Sequence, residues 1–168
     1  MSFQDHDIRV KGIVDEDFSN YKKCSIFIIF PTCSLKCDKE NGTSICQNSS
    51  LLKEPDIKIS VYQLCRRYIS NPLTSAVVIG GLEPFDTFED LRFLISTLRN
   101  EFHCDDDIVV YTGYREDEIK DKIDCLSNLH CMPLIIKFGR FKPNQESHLD
   151  EILGVNLANE EQYAKIIN

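Results

Sequence analysis

Short runs of apolar residues, mostly β-branched or aromatic, recur along the chain and alternate with longer amphipathic segments. The first run covers residues 24–30 and stops at Pro31, which is typical of a strand buried on both faces. Runs of the same kind follow at residues 76–79, 108–111 and 134–136. The pattern therefore predicts four strands with a helix-length segment between each consecutive pair.

The segments between these runs have the apolar spacing of helices. Ser60 is a suitable N-cap for a first helix and Thr87 for a second, and a third helix is expected over residues 116–126. Because strand–helix–strand units connect by a right-handed crossover, this order predicts a parallel sheet flanked by helices. At 168 residues the chain has the length of a single domain.

Two segments do not follow this alternation. Residues 149–167 contain a short candidate strand at 153–155, followed by a helical or extended end. Residues 37–57 are polar and rich in Asn, Ser, Gly and Lys, which predicts a long loop. A loop of that length in a compact domain usually has a function of its own or is disordered.

The composition argues against some classes of function. The formal net charge is −8 and the basic residues are scattered, so nucleic acid is not expected as a partner. The first residues lack the basic and apolar pattern of a secretory signal, and no stretch has the length of a membrane span. We expect a protein of the reducing cytoplasm, without a membrane partner. Its eight cysteines are then expected to bind metal or to pack in the core rather than to form disulfides.

Three cysteines in one polar segment form the strongest candidate site. Cys33, Cys37 and Cys46 follow the first predicted strand, and a Gly-Gly-Leu-Glu-Pro turn at residues 80–84 follows the second. Because the carboxyl ends of parallel strands meet at one edge of a sheet, we expect both motifs to border a common site. Three thiolates without an obvious fourth ligand suit a four-iron cluster that keeps one iron open for a substrate. Glycines beside it would let the backbone approach a small ligand closely.

The cysteine motif and the glycine turn together resemble those of the radical S-adenosylmethionine superfamily. Within it, the Tyr-Thr-Gly-Tyr run at residues 111–114 and the Phe-Gly-Arg-Phe run at 138–141 are similar to the activating proteins of anaerobic ribonucleoside-triphosphate reductases. The resemblance covers roughly residues 27–141, and residues 157–162 resemble the Asn-Gln element near the C-terminus of that family.

The resemblance implies an α/β fold that forms an incomplete parallel (β/α) barrel, as a single domain over residues 1–168 with a cluster-binding loop at about 31–57. It implies a [4Fe-4S] cluster that reductively cleaves S-adenosylmethionine, and a 5′-deoxyadenosyl radical that generates a glycyl radical on the reductase. A flavodoxin- or ferredoxin-like protein would donate the electron, and no catalytic residue beyond the cluster ligands is implied. The implied cluster ligands are Cys33, Cys37 and Cys46, the residues receiving the methionine moiety are Gly80, Gly81, Glu83 and Pro84, and those on the adenosyl side are Thr112, Gly113 and Tyr114.

Two departures from the family pattern concern this site. The family spaces its cysteines three and then two residues apart, whereas this chain has an atypical C-x3-C-x8-C motif with Glu40 at the usual third position. We interpret the wider gap as an insertion of six residues that leaves the cluster in place, because closure entropy grows slowly with loop length. Leu82 interrupts the usual Gly-Gly-Glu-Pro turn and changes where Glu83 points.

Other interpretations of the same residues stay open. The chain could be a structural zinc- or cluster-binding interaction module without catalysis, and in the zinc case Cys24 could join the three cysteines in a closed four-thiolate site. The weakness of this alternative is that Cys24 begins a strand whose other end, about 20 Å away, leads to the three cysteines. A radical S-adenosylmethionine enzyme acting on another substrate is a second alternative. Arg140, at the same predicted edge, could pair with a carboxylate of a substrate or partner, or face the solvent.

Overall fold

The computed structural model describes residues 6–129 and 132–168, which form strands, four α-helices and several shorter helical segments. Within this part of the chain, no helix combines the length and the apolar character needed to cross a membrane. In chain order, the strands are β1 (Asp7–Val10), β2 (Gly12–Asp17), β3 (Ser25–Phe30), β4 (Ile57–Ser60), β5 (Ala76–Gly81), β6 (Asp107–Tyr111), β7 (Leu134–Phe138), β8 (His148–Asp150), β9 (Val155–Leu157) and β10 (Tyr163–Ile167). The α-helices are α1 (Lys36–Asn41), α2 (Val61–Ile69), α3 (Phe88–Ser96) and α4 (Lys120–Ser127). Short 3₁₀ helices lie at Ser49–Lys53, Pro84–Thr87 and Glu116–Ile119, and a π-helical turn lies at Thr97–Glu101.

Six of the strands form one mixed sheet in the order β10-β7-β6-β5-β3-β2. Its centre, β3-β5-β6-β7, is parallel and consists of the four strands predicted from the apolar runs. The edge strands β2 and β10 pair antiparallel with β3 and β7, and these antiparallel edges were not expected. Within the described residues β2 and β10 do not pair with each other. This strand order shows no closed barrel, and it does not test whether the sheet curves into an incomplete one, so the incomplete barrel stays a prediction.

Helices α2, α3 and α4 pack on one face of this sheet. Leu64 of α2, Leu94 of α3 and Ile123 of α4 belong to the main core, together with alternate residues of the central strands such as Ile28 and Val110. The opposite face carries a smaller core, in which residues from the loop before β3 and from the β8–β9 hairpin pack on the strands. This second face has no helix packed over it among the described core contacts, which leaves room beside the small core for a cavity.

Two of the predicted helix starts differ in how they are capped. The hydroxyl of Ser60 accepts a hydrogen bond from the amide of Gln63, as predicted for the N-cap of α2. Thr87 precedes α3 but makes no capping hydrogen bond, and its Oγ1 is buried without a partner among the described residues. The predicted capping role of Thr87 is therefore wrong. The 3₁₀ helix Pro84–Thr87 runs directly into α3, and at their junction Thr87 has φ −120° and ψ 58° with its hydroxyl buried, so its side chain does not reach the first amides of the helix.

The polar segment and the C-terminal end contain more regular structure than predicted. The expected loop at 37–57 includes most of α1 and a 3₁₀ helix, and β4 at its end pairs antiparallel with β1. The strand predicted at 153–155 is mostly a turn, and the strand that follows, β9, forms an antiparallel hairpin with β8. The last residues take the extended alternative as β10.

Candidate functional site

The three predicted cysteine ligands lie around one cavity at the carboxyl edge of the parallel strands. Cys33 lies three residues beyond the end of β3, Cys37 is in α1, and Cys46 follows the loop after α1. All three are half-buried and line a cavity of about 530 Å³. Cysteines that serve packing are usually fully buried among apolar side chains. Three thiols around one polar-edged cavity instead suit the binding of a metal group.

Hydrogen bonds, rather than buried side chains, shape the segment that carries these cysteines. No residue between 32 and 50 is buried. Leu35, between the first two cysteines, has a left-handed φ of 55° and donates its amide to Cys33 Sγ at 3.3 Å. Further along, Asn48 donates its side-chain amide to the carbonyl of Gly81 at 2.8 Å. This last bond joins the end of the cysteine segment to the glycine turn.

The arrangement suits a cluster better than a single metal ion. Among the described residues, no three His, Cys, Asp or Glu side chains are close enough together to hold one ion. Thiolates that bind separate irons of a cluster stand further apart than four thiolates around one zinc ion. Cys24 lies at the opposite end of β3, directly before Ser25. The geometry thus argues against a closed zinc site that includes Cys24.

Metal binding at these thiols requires their deprotonation. Burial raises the pKa of Cys33 to about 11, and burial also raises the pKa of Cys46. Both thiols are therefore protonated at neutral pH, and bound iron would have to displace their protons. A cluster fits this donor set because its positive irons stabilise the thiolate charges that the protein alone does not.

The glycine turn at the end of β5 borders the same cavity. Gly81 lines it and has a φ of +82°, and a Cβ at this position would collide with the side chain of Ile29 on the neighbouring strand. Gly80 is buried next to Tyr111 and does not line the cavity. Leu82, the extra residue of the turn, is 6% exposed and contributes an apolar part of the lining. The turn therefore needs glycine at its second position for both conformation and space.

Glu83 is a buried carboxylate that joins the ends of β5 and β6. Its Oε1 accepts hydrogen bonds from the Thr112 hydroxyl at 2.8 Å and from the Phe85 amide at 3.1 Å. Its Oε2 accepts one from the Gly113 amide at 2.8 Å. Burial raises the pKa of Glu83 to about 7, although these hydrogen bonds act in the opposite direction. Glu83 lines the cavity, but its oxygens already support the loop after β6.

Two other predicted site residues face elsewhere. Pro84 is buried at the start of its 3₁₀ helix. Tyr114 donates its hydroxyl hydrogen to Asp86, and the Nζ of Lys36 in α1 lies 4.4 Å from the centre of its ring. The structure thus gathers seven of the predicted residues around the cavity and leaves Gly80, Pro84 and Tyr114 outside its lining. The seven are Cys33, Cys37, Cys46, Gly81, Glu83, Thr112 and Gly113.

Lys137 is a cavity residue that the sequence analysis did not identify. It lies in β7, is 7% exposed, and donates from Nζ to the Gly139 carbonyl at 3.2 Å. Burial lowers its pKa to about 8, so it is still mainly charged at neutral pH. The sequence could have identified it, because it is a lysine inside an otherwise apolar predicted strand. A charge buried in such a strand needs a partner. A buried cation in the cavity suits an anionic group of a ligand.

Arg140 is buried in a network of ion pairs beside the cavity. Its side chain is 2% exposed, and Nη2 lies 2.6 Å from Glu118 Oε1 and 3.1 Å from Glu40 Oε1. It also donates to the carbonyl of Gly113. Arg115 holds Glu40 by two further hydrogen bonds of 3.1 Å. The alternative of a solvent-facing Arg140 is therefore wrong, because the guanidinium joins α1 to the loops after β6 and β7.

One comparison with known proteins gives a match. The sequence model of a family described as a 4Fe-4S single cluster domain matches residues 22–157. The matched region contains the three cysteines, the glycine turn and the four parallel strands. No curated protein and no solved structure matches the chain.

Proposed function

The chain belongs to the 4Fe-4S single cluster domain family, and we propose that it uses this cluster as a radical S-adenosylmethionine enzyme. The family establishes a domain that binds a 4Fe-4S cluster. In the proposal, Cys33, Cys37 and Cys46 bind three of the irons, and the fourth iron is open to S-adenosylmethionine.

One observation carries the proposal: the three thiols, Gly81 and the Thr112–Gly113 loop line the same cavity of about 530 Å³. Ligand sites in proteins commonly have volumes of roughly 300–1,000 Å³. No fourth cysteine lines this cavity in the described part of the chain. The cluster would occupy the part of this cavity next to the three cysteines. The remaining space, bordered by Gly81 and the loop after β6, suits a substrate at the open iron.

When bound and reduced by an external donor, the cluster would supply the one electron that splits S-adenosylmethionine into methionine and the 5′-deoxyadenosyl radical. The chain's own residues bind and orient that substrate. Lys137 offers a buried positive charge to the methionine carboxylate. Gly81 lines the same cavity and would present its backbone to the methionine moiety.

The loop after β6 is proposed to hold the adenosyl side. Thr112 and Gly113 border the cavity and are fixed in place by their hydrogen bonds to Glu83. Phe27 and Ile29 add apolar side chains from β3 to the lining. An apolar wall next to the cluster excludes water from the site, which protects a reactive radical from side reactions.

The proposed protein substrate is a glycyl-radical ribonucleotide reductase. The 5′-deoxyadenosyl radical takes a hydrogen atom from one glycine of that protein, which gives 5′-deoxyadenosine and leaves the unpaired electron on the glycine. This part of the proposal rests on the resemblance at residues 111–114 and 138–141. A flavodoxin- or ferredoxin-like donor in the cytoplasm would supply the electron.

Protein reconstituted without oxygen tests the cluster and the catalysis separately. We expect about four irons per chain. After reduction we expect S-adenosylmethionine to be converted to methionine and 5′-deoxyadenosine, as measured by chromatography. Cys46→Ala should lose both the cluster and the conversion. Cys125→Ala is the matched control, since it removes a half-buried cysteine outside the cavity and should keep both.

Each outcome separates one part of the proposal. Protein that holds the cluster but leaves S-adenosylmethionine intact after reduction would be a cluster-binding interaction module, and the catalytic proposal would be wrong. Retention of iron and turnover in Cys46→Ala would show that the third ligand is wrongly assigned. Turnover without a glycyl-radical signal in a purified reductase, measured by electron paramagnetic resonance, would point to another protein or small-molecule substrate.

A further inference from the structure

Asp38 joins the two ends of the wide gap between the second and third cysteines. Its Oδ1 accepts the amide of Ile45 at 2.8 Å and the amide of Cys46 at 2.7 Å. Asp38 directly follows Cys37, and eight residues separate Cys37 from Cys46. The two hydrogen bonds therefore bring the backbone of the third cysteine back to that of the second.

Few other contacts hold this loop. None of residues 38–46 is buried, so no apolar side chain fixes it to a core. The described side-chain hydrogen bond inside the loop joins Asn41 to Thr43 at 2.8 Å and does not reach Cys46. Glu40 anchors α1 through its ion pairs, but it lies in the helical part of this segment and makes no described contact with Cys46. Beyond the loop, Asn48 joins the chain to the glycine turn through the carbonyl of Gly81. The side chain that holds the backbone amide of Cys46 itself is Asp38.

The bonds to Asp38 are of a strong kind. A carboxylate oxygen that accepts two successive backbone amides forms charge-assisted hydrogen bonds and fixes the backbone dihedral angles of both residues. A loop ordered in this way before metal arrives does not lose conformational entropy when its cysteine binds. Without the carboxylate, the same entropy would oppose ligation.

We propose that Asp38 is a positioning residue for the third cluster ligand, and that it allows a C-x3-C-x8-C motif to hold a cluster. The inference rests on the ligation by Cys37 and Cys46 in the function proposed above. A second effect follows from the charge of the carboxylate. A negative charge next to a cluster ligand disfavours the addition of an electron, so Asp38 also lowers the reduction potential of the cluster.

Three variants test this role. Asp38→Ala removes the acceptor, whereas Asp38→Asn keeps an acceptor oxygen of the same geometry and removes the charge. Lys39→Ala is the control, because this exposed neighbour has no side-chain hydrogen bond or ion pair among the described contacts. Asp38→Ala should lose iron to a chelator at least about tenfold faster than the unaltered protein, the size expected for a lost hydrogen bond to a charged group. Asp38→Asn should lose iron more slowly than Asp38→Ala, because its neutral amide oxygen still accepts both backbone amides, and Lys39→Ala should keep its iron. Asp38→Asn should show a raised reduction potential, whereas Lys39→Ala should not.

A measurement on the cluster-free protein gives a readout independent of the metal. Hydrogen exchange at the amides of Ile45 and Cys46 should be slow in the unaltered protein, in Asp38→Asn and in Lys39→Ala. It should be fast in Asp38→Ala, while the amides of β5 stay protected and so report an intact sheet.

The outcomes distinguish this inference from the function on which it rests. If Cys46→Ala loses the cluster but Asp38→Ala keeps it as long as the unaltered protein, the positioning role is overturned and the ligand assignment stands. Equal exchange at residues 45–46 in Asp38→Ala and the unaltered protein would overturn it as well. If Cys46→Ala keeps the cluster, the ligand assignment fails and the inference fails with it.

Discussion

Replacing Arg140 by methionine removes a buried positive charge that serves two carboxylates. The side chain of Arg140 is 2% exposed, and its Nη2 lies 2.6 Å from Glu118 and 3.1 Å from Glu40. Methionine keeps an apolar stem but has no charge. After the change, Glu118 retains the backbone amide of Arg115 at 2.7 Å and Lys36 at 3.7 Å, and Glu40 retains the guanidinium of Arg115 at 3.1 Å. Glu118 therefore loses its main partner.

The pKa of Glu118 gives the size of the expected loss. The hydrogen bonds from Arg140 are the largest cause that lowers this pKa from 4.5 to about 2. A shift of that size corresponds to about 3 kcal/mol of interaction. The side chain of Glu118 is 25% exposed. Solvent screening reduces the contribution, and we expect Arg140→Met to lower the free energy of unfolding by about 2 kcal/mol at neutral pH.

The same ion pair makes stability depend on pH. Because the folded protein binds the proton of Glu118 less readily than the unfolded chain, the stabilisation is complete above about pH 4.5 and is lost as the pH falls towards 2. Arg140→Met lacks most of this contribution at every pH. Its stability should therefore fall less between about pH 5 and pH 3 than that of the unaltered protein.

Urea unfolding of the cluster-free proteins, followed by circular dichroism at neutral and acidic pH, measures both effects. Arg92→Met is the matched control, since Arg92 forms an exposed pair with Glu89 at 2.7 Å. Exposed pairs one helical turn apart contribute about 0.5 kcal/mol or less. The reasoning would be refuted if Arg140→Met and Arg92→Met lost the same free energy of unfolding. It would also be refuted if the stability of Arg140→Met fell as steeply towards acidic pH as that of the unaltered protein.

Two further variants address the cavity lining. Gly81→Ala should destabilise the protein by about 2 kcal/mol or more in thermal melting, because it combines a left-handed backbone with a collision against Ile29. Gly42→Ala has a similar φ of +74° but open space around its Cβ, so a smaller loss of about 1 kcal/mol there isolates the steric part. Lys137→Met should stabilise the cluster-free protein by about 1 kcal/mol, because it removes a buried charge. It should also weaken S-adenosylmethionine binding by about tenfold in equilibrium dialysis of the cluster-loaded protein. Unchanged affinity would remove Lys137 from the proposed site.

The centre of the sheet could be predicted from the sequence because its strands are buried on both faces. Such strands are continuous apolar runs, as in β5 and β7, where nearly every residue is buried. The edge strand β2 has no buried residue, and β10 has two buried positions in five. Edge strands of this kind carry no distinctive pattern, since pairing on one side and partial exposure place few demands on their side chains.

The cysteines and the glycine turn could be located from their positions after predicted strands, but the buried charges could not. Lys137 and Arg140 are buried because of partners that lie far away in the chain, such as Glu40 for Arg140. The sequence pattern also did not predict α1. It has no buried residue and so lacks the apolar stripe by which an amphipathic helix is identified.

Charge and hydrogen bonding, rather than apolar packing, hold the cysteine segment on the sheet. Lys36 and Glu40 lie one turn apart in α1 and pair with residues of the loops after β6 and β7, whereas Asp38 closes the loop that follows. Apolar contacts in a core are non-directional and are lost together when the core unfolds. Hydrogen bonds and ion pairs at the surface can instead break one at a time and locally. We therefore expect the segment to open locally while the sheet stays folded, and such opening would give iron and sulfide a route to the cavity in an already folded chain. The same contacts then bring Cys46 back to the position in which we propose that it binds the cluster.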